Sequence, residues 1–503
     1  MPQLNPGQDR DSTVKSDILI FIDSAGSDEE LTFNGSFLPG ALTERCSQIK
    51  KCGAVYFSVP GSYSGSLSGN SNCHTRSGHD GVDFWKETFS RTGSEHICKI
   101  KAESPLLDVS LIGEMIDTHL EYLAEFTFSE NLPAGFSCEI VSRALIDAIP
   151  ELSEKTLPLS QVIKANINHF DVELFYKEPD IRDKRISFLT TNRRDRRIME
   201  GICRENNAPA YAEIRPLIER RPEILYIGPS YLEIELTGRC DLDCIFCYRK
   251  TLGAVHGDMD PALVKGLFEQ MRRFDLPYTV CFGGSGEPLM HRNFYEIVSL
   301  AAAEPLVETI IVETNGLYAD ENYLNFIMDA GPKIRTIVNI NGFNAETYRS
   351  LHGTDNFDAV LRNVLGLLQS DRERLYVQIM KIKETEQFLD AYYDFWEKNN
   401  LQIILQKQNT YLGRIQDRRY SDLSPVERTP CWHLQRDLYI TADGSVSFCK
   451  QDVDGVSSCG NLGADSLAGI WQKKKAGFLQ EYRKDYPTSP DCKSCDEWYT
   501  FNF

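Results

Sequence analysis

Between residues 231 and 406, short apolar runs of strand type alternate with amphipathic runs of helix type, and this alternation restricts the fold more than any other feature. The strand candidates are YLEIEL (231–236), YTVCFGG (278–284), ETIIVE (308–313), IRTIVNI (334–340), LYVQIMKI (375–382) and LQIILQ (401–406). Helix candidates lie between them at 260–274, 294–303, 321–330, 355–370 and 384–400. Six strands alternating with five helices imply an α/β fold with a parallel sheet and right-handed crossovers. Alternation alone fits an open doubly wound sheet and a barrel equally; the segment at the end of each strand decides between them.

With 503 residues the chain is long enough for several domains. Residues 1–16 read as a polar tail, and 17–203 as strands and helices in alternation, with a long Ser/Gly-rich loop at 60–81. Residues 204–230, with four prolines, read as a linker carrying a short helix. Residues 425–503 are short strands, one helix and a Cys pair. The formal net charge of −19 argues against nucleic acid or an anionic membrane surface as a general partner. No secretory h-region opens the sequence and no apolar run reaches ~20 residues, so a cytoplasmic location is expected.

Fifteen cysteines in such a chain raise metal ligation before disulfides. Cys46, Cys52, Cys73, Cys98, Cys138, Cys203 and Cys281 are scattered and read as small buried hydrophobes. Cys240, Cys244 and Cys247 sit together just past the first strand, in YLEIELTGRCDLDCIFCY. Three thiolates on one short loop suit three corners of a 4Fe–4S cube, leaving one iron open to a small molecule. A zinc site would want a fourth ligand nearby.

C-x3-C-x2-C with Phe246 before the third Cys resembles the signature of the radical S-adenosylmethionine (SAM) superfamily. GGSGEP (283–288) resembles its Gly-Gly-Glu element, with Gly284, Gly286 and, at the position that meets the SAM amino group, Glu287. ETNG (313–316) resembles its ribose-side Thr-Asn-Gly, through Thr314 and Asn315. VNINGFNAETYRSLHG (338–353) resembles its Ser-x-Asp-Gly…Arg-Gly segment, with Asn339 for Ser, Asn341 for Asp and His352 for Arg. The resemblance spans about 231–410 and implies a partial (β/α)6 TIM-type barrel, with every motif at the C-terminal mouth. It also implies reductive cleavage of SAM to a 5′-deoxyadenosyl radical that takes hydrogen from a substrate.

Cys431 and Cys449, as C-x12-G-x4-C around Gly444, and the pair Cys492 and Cys495 make a full set of four thiolates for a second 4Fe–4S cluster or for zinc. The pattern resembles the SPASM/Twitch extension of radical SAM enzymes. No further Cys follows Cys495, so the one-cluster Twitch form is expected, with the cluster as an electron relay. Cys459 reads as packing. His433, Arg436, Asn409 and Tyr411 lie in stretches near the expected mouth and read as structural.

Residues 99–149 resemble the centre of cytidylyltransferase-like sugar nucleotidyltransferases, with Glu103 at the place of a metal-holding Asp and LPAGFSCE (132–139) as a later segment. Thr191 falls where the closing Asp would be, and the loop 24–40 carries no Lys or Arg for a triphosphate. The resemblance implies a nucleotidyltransferase-like domain with a degenerate site. The three-domain order resembles the spiroSPASM group.

The leading expectation is a radical SAM enzyme with SAM and two 4Fe–4S clusters, a flavodoxin- or ferredoxin-type electron donor, and a sugar- or nucleotide-linked or peptide substrate. The alternatives are an iron–sulfur electron-transfer or scaffold protein, and a sugar-nucleotide binding module with a structural metal tail.

Overall fold

A computed structural model describes residues 14–23, 25–149, 157–253, 256–421, 424–453, 455, 457–485 and 490–500. Of the expected tail, residues 1–13 lie outside these, while Ser16 already opens a strand. The chain forms two compact units, Met1–Ile224 and Leu225–Phe503.

In the first unit a seven-stranded sheet runs in the order Cys73–Arg76, Cys52–Pro60, Ser16–Phe21, His96–Lys101, Glu139–Ser142, Phe126–Phe128, Val172–Leu174. Ser16–Phe21 is nearly all buried and pairs in parallel on both sides, as its unbroken apolar run predicts. Leu19, Phe21, Trp85, Phe89, Phe126 and Leu145 pack in one core. One expectation fails here: the loop 60–81 contains the strand Cys73–Arg76, which joins the sheet edge through main-chain pairing that polar side chains do not advertise. The stretch 204–230 carries the expected short helix, Tyr211–Arg220, preceded by the helix Arg193–Glu205. Tyr211, Ile214, Leu217 and Ile218 are buried, and the Tyr211 hydroxyl donates to Pro179 O at 2.8 Å. The helical spacing of these apolar residues outweighs Pro216, which costs the helix one hydrogen bond.

The second unit has six parallel strands in unbroken chain order: Tyr231–Glu235, Tyr278–Gly283, Val307–Thr314, Ile334–Asn339, Leu375–Lys381 and Gln402–Lys407. A doubly wound sheet would reverse direction at a switch point; these six strands do not. Helices Pro261–Met271, Phe294–Ala303, Glu321–Ala330 and Phe357–Ser370 cross between strands. The helix expected at 384–400 is broken into Lys383–Glu386 and Leu389–Glu397. Ala345–His352 is an additional helix, capped by Asn344, whose side chain accepts from Thr347 N–H at 2.9 Å.

The C-terminal region does not stand apart. Asp437–Ile440 pairs in parallel with Tyr231–Ile234, so the sheet grows past its first strand. Ser445–Ser447 and Ser458–Asn461 extend it antiparallel, giving nine strands. Gly444 makes the hairpin turn at φ +81, as its place in Asp443-Gly444 predicts. Tyr226 stacks on Trp471 at 4.4 Å and donates its hydroxyl to Trp471 O at 2.7 Å. Among the described residues no helix is long and apolar enough to cross a membrane.

Candidate active site

Beyond the first barrel strand the chain turns into the cysteine loop, held from both sides. Arg239 donates to Asp258 at 2.8 Å and to Met290 O at 2.7 Å, and Arg239 O accepts from Glu287 N–H at 2.7 Å. Asp243 N–H and Ile245 N–H, flanking Cys244, donate to His352 O and Leu351 O at 3.1 and 3.0 Å. Cys240, Cys244 and Cys247 line one cavity of about 180 Å³. Phe246, Gly284, Gly286, Glu287, Thr314, Asn315, Asn339 and His352 line the same cavity, so the residues singled out from the sequence converge.

The glycine-rich turn after the second strand lies directly on this loop. Gly284 adopts φ +101. A Cβ on Gly286 would lie 2.0 Å from Thr237 O, a distance no side chain tolerates. The turn delivers Glu287, buried, with three donors on its carboxylate: Thr314 Oγ1–H at 2.7 Å, Asn315 N–H at 2.7 Å and Leu289 N–H at 3.1 Å. A carboxylate has about four acceptor sites, so one is left for a ligand donor. Burial pushes the Glu287 carboxyl up to about 7, against the pull of these hydrogen bonds.

Thr314 gives its hydroxyl to Glu287, and the Asn315 amide donates to Asp241 Oδ1 at 2.9 Å, so their polar atoms brace other parts of the site. Asn339 Oδ1 accepts from Gln378 Nε2 at 2.5 Å. His352, at the position of the family's Arg, is fully buried with both ring nitrogens engaged, one by Asn341 N–H at 3.2 Å and one by Cys244 Sγ at 3.1 Å. Burial pushes its pKa down to about 3, so the ring is neutral and offers no charge to a carboxylate.

Cys431, Cys449, Cys492 and Cys495 line a second cavity, of about 450 Å³. Cys431 caps the helix Trp432–Arg436, Cys449 follows the hairpin, and Cys495 Sγ accepts from Glu497 N–H at 3.3 Å. Burial raises all four thiols, so without a cation they stay protonated, and ligation would release their protons. Among the described residues no three His, Cys, Asp or Glu side chains converge as ligands of a single ion do. A cube holds its thiolates at separate corners and needs no such convergence. By count, the three thiols of the first cavity suit a cluster with one open iron and the four of the second a fully ligated one. Cys459 is buried in the strand Ser458–Asn461.

Glu313, Gln378, Gln406, Asn409, Tyr411 and Lys450 line both cavities, so these six stand between the two cysteine sets. Lys450 lies 2.7 Å from Glu233. Burial opposes the Lys450 ammonium, but Glu233, Tyr411 and Glu313 outweigh it and raise its pKa. Burial raises the Glu313 carboxyl. Sequence reasoning missed Glu313, Gln378, Gln406 and Lys450; two of them adjoin motif residues, Glu313 before Thr314 and Lys450 after Cys449. His433 lines the second cavity, with its nitrogens on Asp437 at 2.6 Å and Glu497 O at 3.0 Å. Arg436 pairs with Asp437 at 2.6 Å and lies over the rings of Tyr231 and Trp432.

The radical SAM superfamily model matches residues 234–395, and the iron–sulfur cluster-binding SPASM model matches residues 431–496. The chain carries both domains: it is a SAM-cleaving enzyme whose cofactors are a 4Fe–4S cluster, SAM and additional iron–sulfur cluster. It is similar to an uncharacterised protein of Treponema pallidum (strain Nichols), 28% identical over 358 residues, which are 68% of this chain and 97% of that one. The S-adenosyl-L-methionine-dependent 2-deoxy-scyllo-inosamine dehydrogenase of Niallia circulans is 22% identical over 270 residues, 53% of this chain and 92% of that one. Among solved structures, BtrN in complex with AdoMet and 2-DOIA is 20% identical, covering 53% of this chain and 93% of that one, with a TM-score of 0.35.

Proposed function

We propose that this radical SAM enzyme oxidises a hydroxyl-bearing, sugar- or nucleotide-linked substrate held between its two cysteine sets, with the four-cysteine site as the electron relay. The observation that carries this reading is the shared wall of the two cavities: a molecule resting on Glu313, Gln378, Asn409, Tyr411 and Lys450 faces both sets at once. When bound at Cys240, Cys244 and Cys247, a 4Fe–4S cluster with SAM supplies a 5′-deoxyadenosyl radical, which takes a hydrogen atom from carbon.

A carbinol that has lost this hydrogen becomes a carbonyl by losing one electron and one proton. Glu313, with its raised carboxyl pKa, lines both cavities and accepts the proton. An iron–sulfur cluster held by Cys431, Cys449, Cys492 and Cys495 would take up the electron. Gln378 and Asn409 offer amide groups to hydroxyls, and Tyr411 offers its ring and hydroxyl. The dehydrogenase named in the Niallia circulans relative agrees with this class of reaction. A partial (β/α)6 barrel, a one-cluster Twitch form, a cytoplasmic setting and a flavodoxin- or ferredoxin-type donor belong to the same reading.

The first unit we read as a nucleotidyltransferase-like domain without transfer activity. In support, Arg76, a basic group near the end of its central strand, spends its guanidinium on the carbonyls of Ile22 and Asp23, at 2.6 and 2.8 Å. Glu103 is buried with Oε1 on Asp23 N–H at 3.1 Å, and Thr191 is exposed.

The test of the relay is the double variant Cys492→Ala, Cys495→Ala. It is expected to keep uncoupled SAM cleavage, measured as 5′-deoxyadenosine, and to lose product from the hydroxyl substrate. Circular dichroism and the EPR signal of the first cluster show whether the fold survives, because ligation energy is folding energy. Unchanged product yield in a folded variant would leave the second site as a structural cap.

A further inference from the structure

The middle cysteine of the loop, Cys244, has a side-chain partner of its own. The Asn341 backbone N–H points at His352 Nε2 from 3.2 Å, and the Asn341 side-chain nitrogen lies 3.4 Å from the same atom. Both are donors, so Nε2 must be the acceptor, and a neutral imidazole then carries its proton on Nδ1. Nδ1 is 3.1 Å from Cys244 Sγ. The ring has little freedom to do anything else. Tyr348 packs on one side at 4.4 Å and Phe246 meets it edge-on at 5.9 Å. The Asn341 side chain is itself fixed, its Oδ1 accepting from Met380 N–H at 2.6 Å.

The backbone at this point repeats the arrangement. The helix Ala345–His352 ends against the cysteine loop, its last two carbonyls taking the N–H groups on either side of Cys244. Gly353 comes next at φ +73, where a Cβ would come within 3.3 Å of Asp243. The loop and the ring are thus held as one piece, with Nδ1–H aimed at sulfur.

We infer that His352 is a positioning residue that tunes the first cluster through an Nδ1–H to Cys244 Sγ hydrogen bond, so that the ring sets the cluster's reduction potential rather than holding SAM. This rests on the radical SAM reading of the three-cysteine site. A donor to a ligand sulfur stabilises the electron-rich, reduced state more than the oxidised one, and hydrogen bonds to sulfur are among the groups that set cluster potentials. No titration of the ring is involved.

The test is an EPR redox titration of the full chain after anaerobic loading, following the cluster whose signal changes on addition of SAM, in wild type, His352→Leu and His352→Asn. Leu removes the donor; Asn keeps an N–H near the place of Nδ1. The Leu variant is expected to show about a tenfold lower ratio of reduced to oxidised cluster at a fixed potential, equivalent to about 59 mV for one electron. The Asn variant is expected to recover most of it. If Leu fails to load iron while Asn loads with near wild-type potential, the donor is required and the inference stands. Equal potentials in loaded wild type and Leu variant would overturn it, as would loss of iron in both variants, which would assign the ring to packing alone. Failure of the radical SAM reading itself would look different: no signal in any of the three proteins would respond to SAM.

Discussion

Lys450 and Glu233 form an ion pair of 2.7 Å in the wall of the first cavity, joining the residue after Cys449 to the first barrel strand. Glu233 is almost fully buried, 3% exposed. Removing one member of such a pair strands the other, at about 3–5 kcal/mol, whereas replacing both can be nearly neutral. Lys450→Met is therefore expected to lower stability by about 3 kcal/mol or more, and Lys450→Met with Glu233→Gln to recover most of it. Urea denaturation of the two variants checks this; equal destabilisation would mean the pair is not coupled.

Iron content is set by the ligand sets. Two 4Fe–4S clusters give about eight iron per chain. The triple variant Cys240→Ala, Cys244→Ala, Cys247→Ala is expected to hold about half of that and to make no 5′-deoxyadenosine. Iron and sulfide analysis with an assay for the nucleoside decides it; continued nucleoside formation would misassign the cleavage site.

Glu287 makes the stability of the cluster-free chain depend on pH. Its carboxyl rises from an ordinary 4.5 to about 7 on folding, because burial disfavours the charge. Between those values the folded state keeps a proton that the unfolded state has lost. Stability is thus full below 4.5 and is lost as pH rises through 7. Glu103, Glu313, Glu481 and Glu497 are also raised by burial and act in the same direction. Glu287→Gln isolates the one contribution: the fall in urea midpoint between pH 5 and pH 8 should be smaller than in wild type. An unchanged pH slope would place the Glu287 carboxyl in its ordinary range.

Gly286→Ala tests the contact between the glycine turn and the cysteine loop. A Cβ at 2.0 Å from Thr237 O and 2.7 Å from Arg239 O meets backbone, which cannot move aside as a side chain can. Loss of about 1–3 kcal/mol is expected, together with weaker SAM binding, since the displaced backbone carries Cys240. Calorimetry of both quantities checks it; a binding constant equal to wild type would mean the loop absorbs the change.

For the first unit, no pyrophosphate should be released from CTP with Mg²⁺ and a sugar phosphate. Release that depends on both and disappears in Glu103→Ala would give this unit a working transfer site.

The parallel α/β sheet was legible because most of its strands, though not the partly exposed Gln402–Lys407, are largely buried and read as apolar runs between amphipathic helices. The site was legible because strand ends followed by Cys, Gly or Glu are few. Three things were not. The strand Cys73–Arg76 and the pairing of Asp437–Ile440 with the first barrel strand are made by main-chain hydrogen bonds, which any residue can form. The role of His352 depends on which atoms surround a buried ring, and a motif position records only a substitution. Glu313, Gln378 and Lys450 come from different strands and loops, and only the fold brings them to one cavity.

The parallel pairing of Tyr231–Ile234 with Asp437–Ile440 also sets an order for the protein's biogenesis. The first cysteine loop is made well before the strand Asp437–Ile440 that pairs beside its own strand. Until then the nascent barrel has an unpaired edge and the four-cysteine set does not exist. Loading of the second site by the cell's cluster-delivery machinery must therefore await synthesis through Cys495, and a truncation before residue 437 would expose an adhesive edge as well as remove three of the four cysteines of that set, or all four if it falls before Cys431.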